Sequence, residues 1–184
     1  MVALPAGFSP QEYLALEYEN TIRHEYRQGL VYAMAGGSDD HSRIAINFLT
    51  ALNLHLRDGT CQFFSGDVKV NYADDFFYYP DAFVICNPND RKDRYVKRYP
   101  KLITEVLSPA TKDFDRSDKF KDYALLSSLE EYVLIEQDTQ QVECRHCIGA
   151  QWETIIYSID EQVTFKSINL TLPIEELYRG TSIV

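Results

Sequence analysis

The sequence predicts a mixed α/β fold in which helices flank a central mixed sheet and extra hairpins lie at both ends. Helix-period segments at residues 9–20, 38–59 and 113–129 are separated by strand-length runs rich in β-branched and aromatic residues. The composition, with 45% hydrophobic and 25% charged residues, is that of a globular chain. No repeat, linker or low-complexity tract interrupts the 184 residues. We therefore expect one domain spanning residues 1–184.

The first predicted elements are a capped helix and a hairpin. Residues 9–20 begin with Ser9 as N-cap, Pro10 at the first helical position and Glu12 at the position that completes a capping box. The following stretch, "HEYRQGLVYAMAGG" at residues 24–37, alternates on either side of a Gln-Gly pair. This pattern predicts a hairpin that ends at the Gly-Gly pair.

The longest predicted helix covers residues 38–59. Apolar residues recur there at three- and four-residue steps, and Asp39 and Asp40 suit the positive end of the helix dipole. His41 lies one turn before the apolar stripe. A hydrogen-bonded packing role is the simpler interpretation of His41, and contact with a phosphate is the alternative.

The rest of the chain alternates between predicted strands and one further helix. The helical period at residues 113–129 falls between the third and fourth of these strands. The predicted strands are residues 60–72, 81–87, 101–108, 130–137, 141–147 and 152–159.

The charge distribution limits the function classes. A net charge of −10 and a pI near 4.8 argue against indiscriminate nucleic-acid binding, which depends on lysine and arginine. Six basic residues are nevertheless concentrated in residues 89–101, which is compatible with a DNA-handling enzyme and equally with a solvated loop. No apolar run approaches the ~20 residues of a membrane span, and the first residues do not look like a secretion signal. Cytoplasmic residence is therefore expected.

Four cysteines are too few for a disulfide-stabilised fold, and a chain of this length can bury a core without disulfides. The "CRHC" motif allows two interpretations, a zinc site built on Cys144, His146 and Cys147, or an ordinary strand. A structural zinc site needs four ligands, commonly in two pairs, and the sequence offers no second pair. The strand is favoured.

Two acidic residues adjoin buried strands in a way that requires explanation. Pro80 cannot donate to a sheet ladder, so Asp81 is predicted to be the first paired residue of its strand. Glu105 shares a strand face with Ile103 and Leu107. It is thus a carboxylate on an apolar face that excludes water, called the dry face below. Such a carboxylate costs several kcal/mol unless a charge compensates it.

A divalent cation would resolve this conflict. Carboxylates from Asp81 and Glu105, together with the main-chain carbonyl of Val106, would supply the hard oxygen ligands that Mg²⁺ prefers. A metal of this kind lowers the pKa of a bound water and holds a scissile phosphate.

The motifs, taken in order, resemble the PD-(D/E)XK nuclease superfamily and, within it, the Uma-type branch of restriction-endonuclease-like proteins. They are "EYRQG", "PDAFV", "EVLSPAT", "DRSDKFKDY" and "EYVLIE", and the resemblance covers roughly residues 9–180. It implies a restriction-endonuclease-like core and a Mg²⁺- or Mn²⁺-dependent endonuclease acting on DNA, with Asp81 and Glu105 as metal ligands.

The sequence departs from the superfamily pattern at one position. Leu107 stands where the Glu-x-Lys signature has lysine. The resembling branch implies that a lysine of the next helix returns to the same place, and the candidates are Lys119 and Lys121. On a helical wheel Lys119 lies about 40° from Tyr123, which is on the buried side, whereas Lys121 lies about 160° away. We therefore predict Lys119.

The resemblance also implies further site residues and a partner. It assigns Glu25, in "HEYRQG", to the catalytic group, either as a metal ligand or as a group that orients a water. His41, as a phosphate contact, and Asp67 are further, weaker candidates. Cutting both strands of a duplex needs two sites, so a homodimer is expected by symmetry. The alternative is a catalytically inactive protein that keeps the fold and binds nucleic acid or protein, as the acidic charge and the missing signature lysine would allow.

Overall fold

The computed structural model describes residues 7–34 and 36–183. Residues 1–6, 35 and 184 of the predicted domain lie outside the described residues. The helices are α1 (Pro10–Glu19), α2 (Asp39–Leu56), α3 (Lys112–Arg116), α4 (Asp118–Tyr123) and α5 (Glu175–Tyr178). The strands are β1 (His24–Arg27), β2 (Leu30–Ala33), β3 (Gln62–Ser65), β4 (Lys69–Tyr72), β5 (Phe76–Tyr78), β6 (Ala82–Ile85), β7 (Val96–Lys97), β8 (Pro100–Leu107), β9 (Glu131–Glu136), β10 (Gln141–Ile148), β11 (Gln151–Ser158), β12 (Gln162–Phe165) and β13 (Leu170–Pro173).

The mixed α/β prediction is confirmed, and the central sheet has six strands in the order β11-β10-β9-β8-β6-β3. Within this central sheet, β8 and β9 pair in parallel, and the other four strand pairs are antiparallel. One face of this sheet packs on α2 and the C-terminal elements, where Phe48 and Phe165 are fully buried. The other face packs on Tyr123 and Leu126 of the α4 region. Burial of both faces explains why β8 and β9 read as continuous apolar runs.

A second sheet accompanies the central one, which the sequence did not predict. It has the order β2-β1-β5-β4-β7. The predicted single strand at residues 60–72 is therefore two strands in different sheets, because a turn at Gly66-Asp67 redirects the chain. The chain changes sheet again between β5 and β6, next to Pro80, which has no N–H to continue a ladder. Residues 79–81 thus lie where the two sheets meet.

The predicted helix at residues 113–129 is shorter and divided in two. Ser117 leaves the helical conformation, with φ −113° and ψ −87°, and separates α3 from α4. Its hydroxyl donates to the carbonyl of Asp113 four residues earlier, a bond that competes with regular helix geometry. Residues 124–129 continue as turns, not as helix.

The predicted N-terminal elements are confirmed. The Ser9 hydroxyl accepts from the backbone N–H of Glu12 while the Glu12 carboxylate accepts from the backbone N–H of Ser9. The hairpin turns at Gln28 and Gly29, both with positive φ. Ser38 caps α2, as its hydroxyl accepts from the backbone N–H of His41.

The cysteines correct one expectation. Cys61 and Cys86 form a disulfide that joins the start of β3 to the end of β6. The chain therefore contains a disulfide cross-link that the sequence did not predict. In β10, Cys144 is buried on one face and Cys147 lies on the other, as period two requires. The two thiols of the CRHC motif therefore do not converge on one zinc ion.

Within residues 7–34 and 36–183, no helix combines the length and the apolar character that crossing a membrane requires.

Candidate active site

A cavity of about 640 Å³ lies where several elements come together. They are the β1–β2 hairpin, the start of α2, the start of β6, the end of β8, and helices α3 and α4. It contains every residue predicted for the nuclease site except the weaker candidates Asp67 and Lys121. The predicted residues that line it are Glu25, His41, Asp81, Glu105, Val106 and Lys119.

Asp81 lies just before β6 and is not the first paired residue, because the ladder begins with Ala82 opposite Thr104. This register places Asp81 beside Glu105 on the neighbouring strand. One Asp81 oxygen, Oδ2, accepts from the backbone N–H of Val106 at 2.8 Å. Its other oxygen, Oδ1, lies 3.0 Å from Nε2 of His41. Both oxygens are therefore held in fixed directions at the cavity.

Glu105 occupies the dry face of β8 that the alternation predicts, between Ile103 and Leu107 of the core. Its Oε1 accepts from the Tyr123 hydroxyl at 3.0 Å and lies 3.0 Å from Nζ of Lys119. Burial raises the pKa of Glu105 well above its usual range. The ammonium of Lys119 opposes this rise, and the neighbouring carboxylates add to it.

Lys119 is the lysine that the structure brings into the cavity. Its side chain is only 6% exposed, and Nζ lies 3.1 Å from Oε1 of Glu25 and 3.6 Å from Oδ1 of Asp115. Burial lowers the pKa of Lys119, but the surrounding carboxylates outweigh it and the pKa is raised well above its usual value. Lys121, by contrast, is 71% exposed and pairs with Asp118.

Glu25 reaches the cavity from β1 of the second sheet. It is buried, and its Oε1 accepts from the backbone N–H of Tyr79 at 3.0 Å. The chain segment between the sheets thus orients Glu25 toward Lys119. Asp67 is elsewhere: it is largely exposed and pairs with Arg23.

His41 lines the cavity and contacts Asp81, so its position is compatible with the phosphate contact as well as with the packing role. Burial lowers its pKa, and the hydrogen bond and charge of Asp81 outweigh burial, so the pKa of His41 is raised. Gly37 lets the ring approach, since a Cβ at position 37 would lie 2.8 Å from Cδ2 of His41.

Two residues of the cluster have no catalytic role in the sequence-based prediction, Asp115 and Tyr123. Asp115 is buried beside Lys119, and the Tyr123 hydroxyl donates to Glu105. A sequence signal existed for both, because Asp115, Lys119 and Tyr123 follow one another at four-residue steps.

The donor set suits a hard cation. Four acidic residues (Glu25, Asp81, Glu105 and Asp115) line the cavity, and Lys119 is the only lysine or arginine among its described lining residues, so acidic groups are in excess. Three of them, Glu25, Glu105 and Asp115, lie within 3.6 Å of the Lys119 ammonium. No group of three or more histidine, cysteine, aspartate or glutamate side chains in the described ranges is arranged to hold a metal ion. Mg²⁺ is commonly bound by only one or two carboxylates and keeps several waters, so a site with two acidic ligands is consistent with both facts.

The basic segment at residues 89–101 is mostly occupied by internal contacts. Lys97 is buried, with its ammonium 2.8 Å from the carbonyl oxygen of Asp90. The side chains of Arg91, Arg98 and Lys101 also contact protein acceptors. Most of this segment therefore does not present free cationic groups to a phosphate backbone.

Comparison with known proteins gives the family. The profile described as "Uma2: Putative restriction endonuclease" matches residues 10–175. This chain belongs to the Uma2 family. It is 36% identical over 174 residues to the uncharacterized protein slr1290 of Synechocystis sp., covering 94% of this chain and 92% of that protein. It is 33% identical over 156 residues to the uncharacterized protein sll1609 of the same organism, covering 83% and 88%.

The fold of this Uma2 protein is also found in a solved structure. The crystal structure of a putative nuclease belonging to DUF820 from Anabaena variabilis matches with a TM-score of 0.78 and 21% sequence identity. The match covers 94% of this chain and 98% of the other. The predicted restriction-endonuclease-like family and fold are thereby confirmed.

Proposed function

We propose that this Uma2 protein is a Mg²⁺- or Mn²⁺-dependent endonuclease that hydrolyses phosphodiester bonds in DNA. The observation that carries the proposal is the buried ammonium of Lys119, held by Glu105 and Glu25 in the cavity that Asp81 also lines. Acidic side chains and a cation gathered in one cavity are typical of a reaction site.

Each residue has a role in this proposal. Asp81, Glu105 and the carbonyl of Val106 would hold the metal, which when bound supplies an acidified water and neutralises charge on the phosphate. Lys119 keeps its proton, because its pKa is raised, and so donates hydrogen bonds to orient the attacking water and stabilise the developing negative charge. Glu25 holds Lys119 in place.

The test is a nuclease assay on plasmid, duplex and single-stranded DNA with Mg²⁺ or Mn²⁺. We expect Asp81→Asn, Glu105→Gln and Lys119→Ala each to lower the cleavage rate by about 10² or more, as the loss of a group that acts on the transition state does. Lys121→Ala is the matched control from the same helix and should retain full activity. Equal losses in Lys119→Ala and Lys121→Ala would contradict the assigned lysine.

A complete lack of metal-dependent cleavage would instead support the alternative, an inactive member that binds nucleic acid or protein. The homodimer stays a prediction tied to double-strand cleavage, and light scattering of the purified protein measures it. The cytoplasmic location also stays a prediction.

A further inference from the structure

Glu105 and Lys119 lie on the floor of the cavity, away from the outer surface. The side chains of Glu105 and Lys119 are 5% and 6% exposed, whereas Asp81 and His41, nearer the mouth, are 25% and 18% exposed. In an intact duplex, stacking and pairing hold each nucleotide in the helix, and moving one into a recessed pocket costs a few kcal/mol. An unpaired strand has no such constraint, so one of its phosphates can reach Glu105 and Lys119 at the floor of the cavity.

The charges at the cavity also favour few phosphate contacts. Of the described residues that line it, Lys119 alone is a lysine or arginine, and four acidic residues line the same cavity. Proteins that bind duplex DNA along its length neutralise several phosphates with lysine and arginine. A net charge of −10 and the internally occupied basic segment make such a footprint difficult here. The site suits one or two phosphates.

An aromatic side chain is available for a base. Tyr32, half-buried in β2, lines the cavity directly across the strand pair from Glu25. Met34, Pro109 and Ala110 also line the cavity and make much of its wall apolar. Stacking of bases on aromatic rings is the usual sequence-independent contact of proteins that bind single strands. A cavity of about 640 Å³ is within the ordinary size range of small-molecule sites and has room for roughly one or two nucleotides.

We propose that the substrate is an unpaired DNA strand, which places one phosphate over Glu105 and Lys119 and stacks a base on Tyr32. This inference rests on the proposed nuclease function and narrows its substrate. One chain then provides a complete site for one strand, so cleavage does not require the homodimer.

The first experiment measures binding by fluorescence anisotropy, with labelled hexanucleotides and a hairpin duplex of the same sequence. Ca²⁺ serves as an oxygen-seeking divalent cation in place of Mg²⁺. We expect the single strand to bind at least tenfold more tightly than the duplex. The logarithm of the binding constant should fall with the logarithm of salt concentration with a slope of about −1, as one or two phosphate contacts give. Tighter binding of the duplex with a slope steeper than about −4 would overturn the inference.

Variants of Tyr32 provide the second readout. Tyr32→Ala should weaken single-strand binding by about tenfold or more, and Tyr32→Phe should restore it, because stacking needs the ring and not the hydroxyl. Tyr95→Ala is the control, since Tyr95 is 67% exposed and does not line the cavity. Equal effects of Tyr32→Ala and Tyr95→Ala would also overturn the inference.

Cleavage by the wild type with Mg²⁺ separates this inference from the proposed function. Faster cutting of single strands or unpaired flaps than of duplex supports both. Equal cutting of duplex interiors supports the nuclease function and refutes the unpaired substrate. Tight single-strand binding without any cleavage refutes the nuclease function alone and leaves a single-strand binding protein.

Discussion

Replacing Lys119 by methionine removes the cation of the site while keeping a side chain of similar length. Three carboxylates that are 3–6% exposed, those of Glu25, Glu105 and Asp115, then face one another without the ammonium that lies 3.0–3.6 Å from each. Removing one partner of a buried ion pair costs about 3–5 kcal/mol, because the remaining charge is left uncompensated. For a chain of this length that corresponds to a fall in Tm of about 6–20 °C.

Thermal and urea denaturation followed by circular dichroism measure this loss. Lys121→Met is the control, and we expect a change within about 0.5 kcal/mol because Lys121 is an exposed residue. Adding Glu105→Gln to Lys119→Met should recover part of the stability, since it removes one of the uncompensated charges. If both lysine variants lose the same small amount of stability, the Lys119 ammonium is not buried among these carboxylates.

Two further predictions concern His41 and the loop before β7. Gly37→Ala should displace the His41 ring from Asp81, because the new methyl group would lie 2.8 Å from Cδ2 of His41. Gly36→Ala has open space around the new methyl group and should leave the ring in place. Crystal structures or imidazole NMR signals of the two variants measure the difference. Asp93→Asn should lower stability by about 1 kcal/mol at pH 7, and this difference should shrink as the pH falls below 3.8. Burial raises the pKa of Asp93, but backbone N–H donors and an arginine outweigh burial and hold the pKa below 3.8. The stabilisation by Asp93 therefore exists above that pH and disappears on acidification. Urea titrations across pH 3–7 that give a constant stability difference between wild type and Asp93→Asn would contradict this assignment.

The features that the sequence predicted correctly depend on short-range periodicity. Alternation in β8 placed Glu105 on the dry face without knowledge of any partner strand. Helical period put Lys119, and not Lys121, on the buried side of α4. The capping box and the Gln-Gly turn are likewise local signals, and both elements formed where they were expected.

The features that were not predicted depend on contacts between distant residues. Nothing local indicates that β3 and β4, three residues apart, belong to different sheets. The pairing of Cys61 with Cys86 follows from the register of β3 on β6, which the sequence does not specify. Asp115 could be recognised as a site residue only once Lys119 was known to turn inward, because an exposed lysine would make the same four-residue pair.

The proposed function requires Asp81 and Glu105 to share one divalent cation beside Lys119, and anomalous diffraction from crystals soaked in Mn²⁺ locates that cation directly. We predict a single strong peak in the cavity, about 2.1 Å from a carboxylate oxygen of Asp81 and from one of Glu105, and its loss in Glu105→Gln crystals. A well-ordered structure with no peak in the cavity, or with Mn²⁺ bound by only one of the two acids and unaffected by Glu105→Gln, would contradict the account.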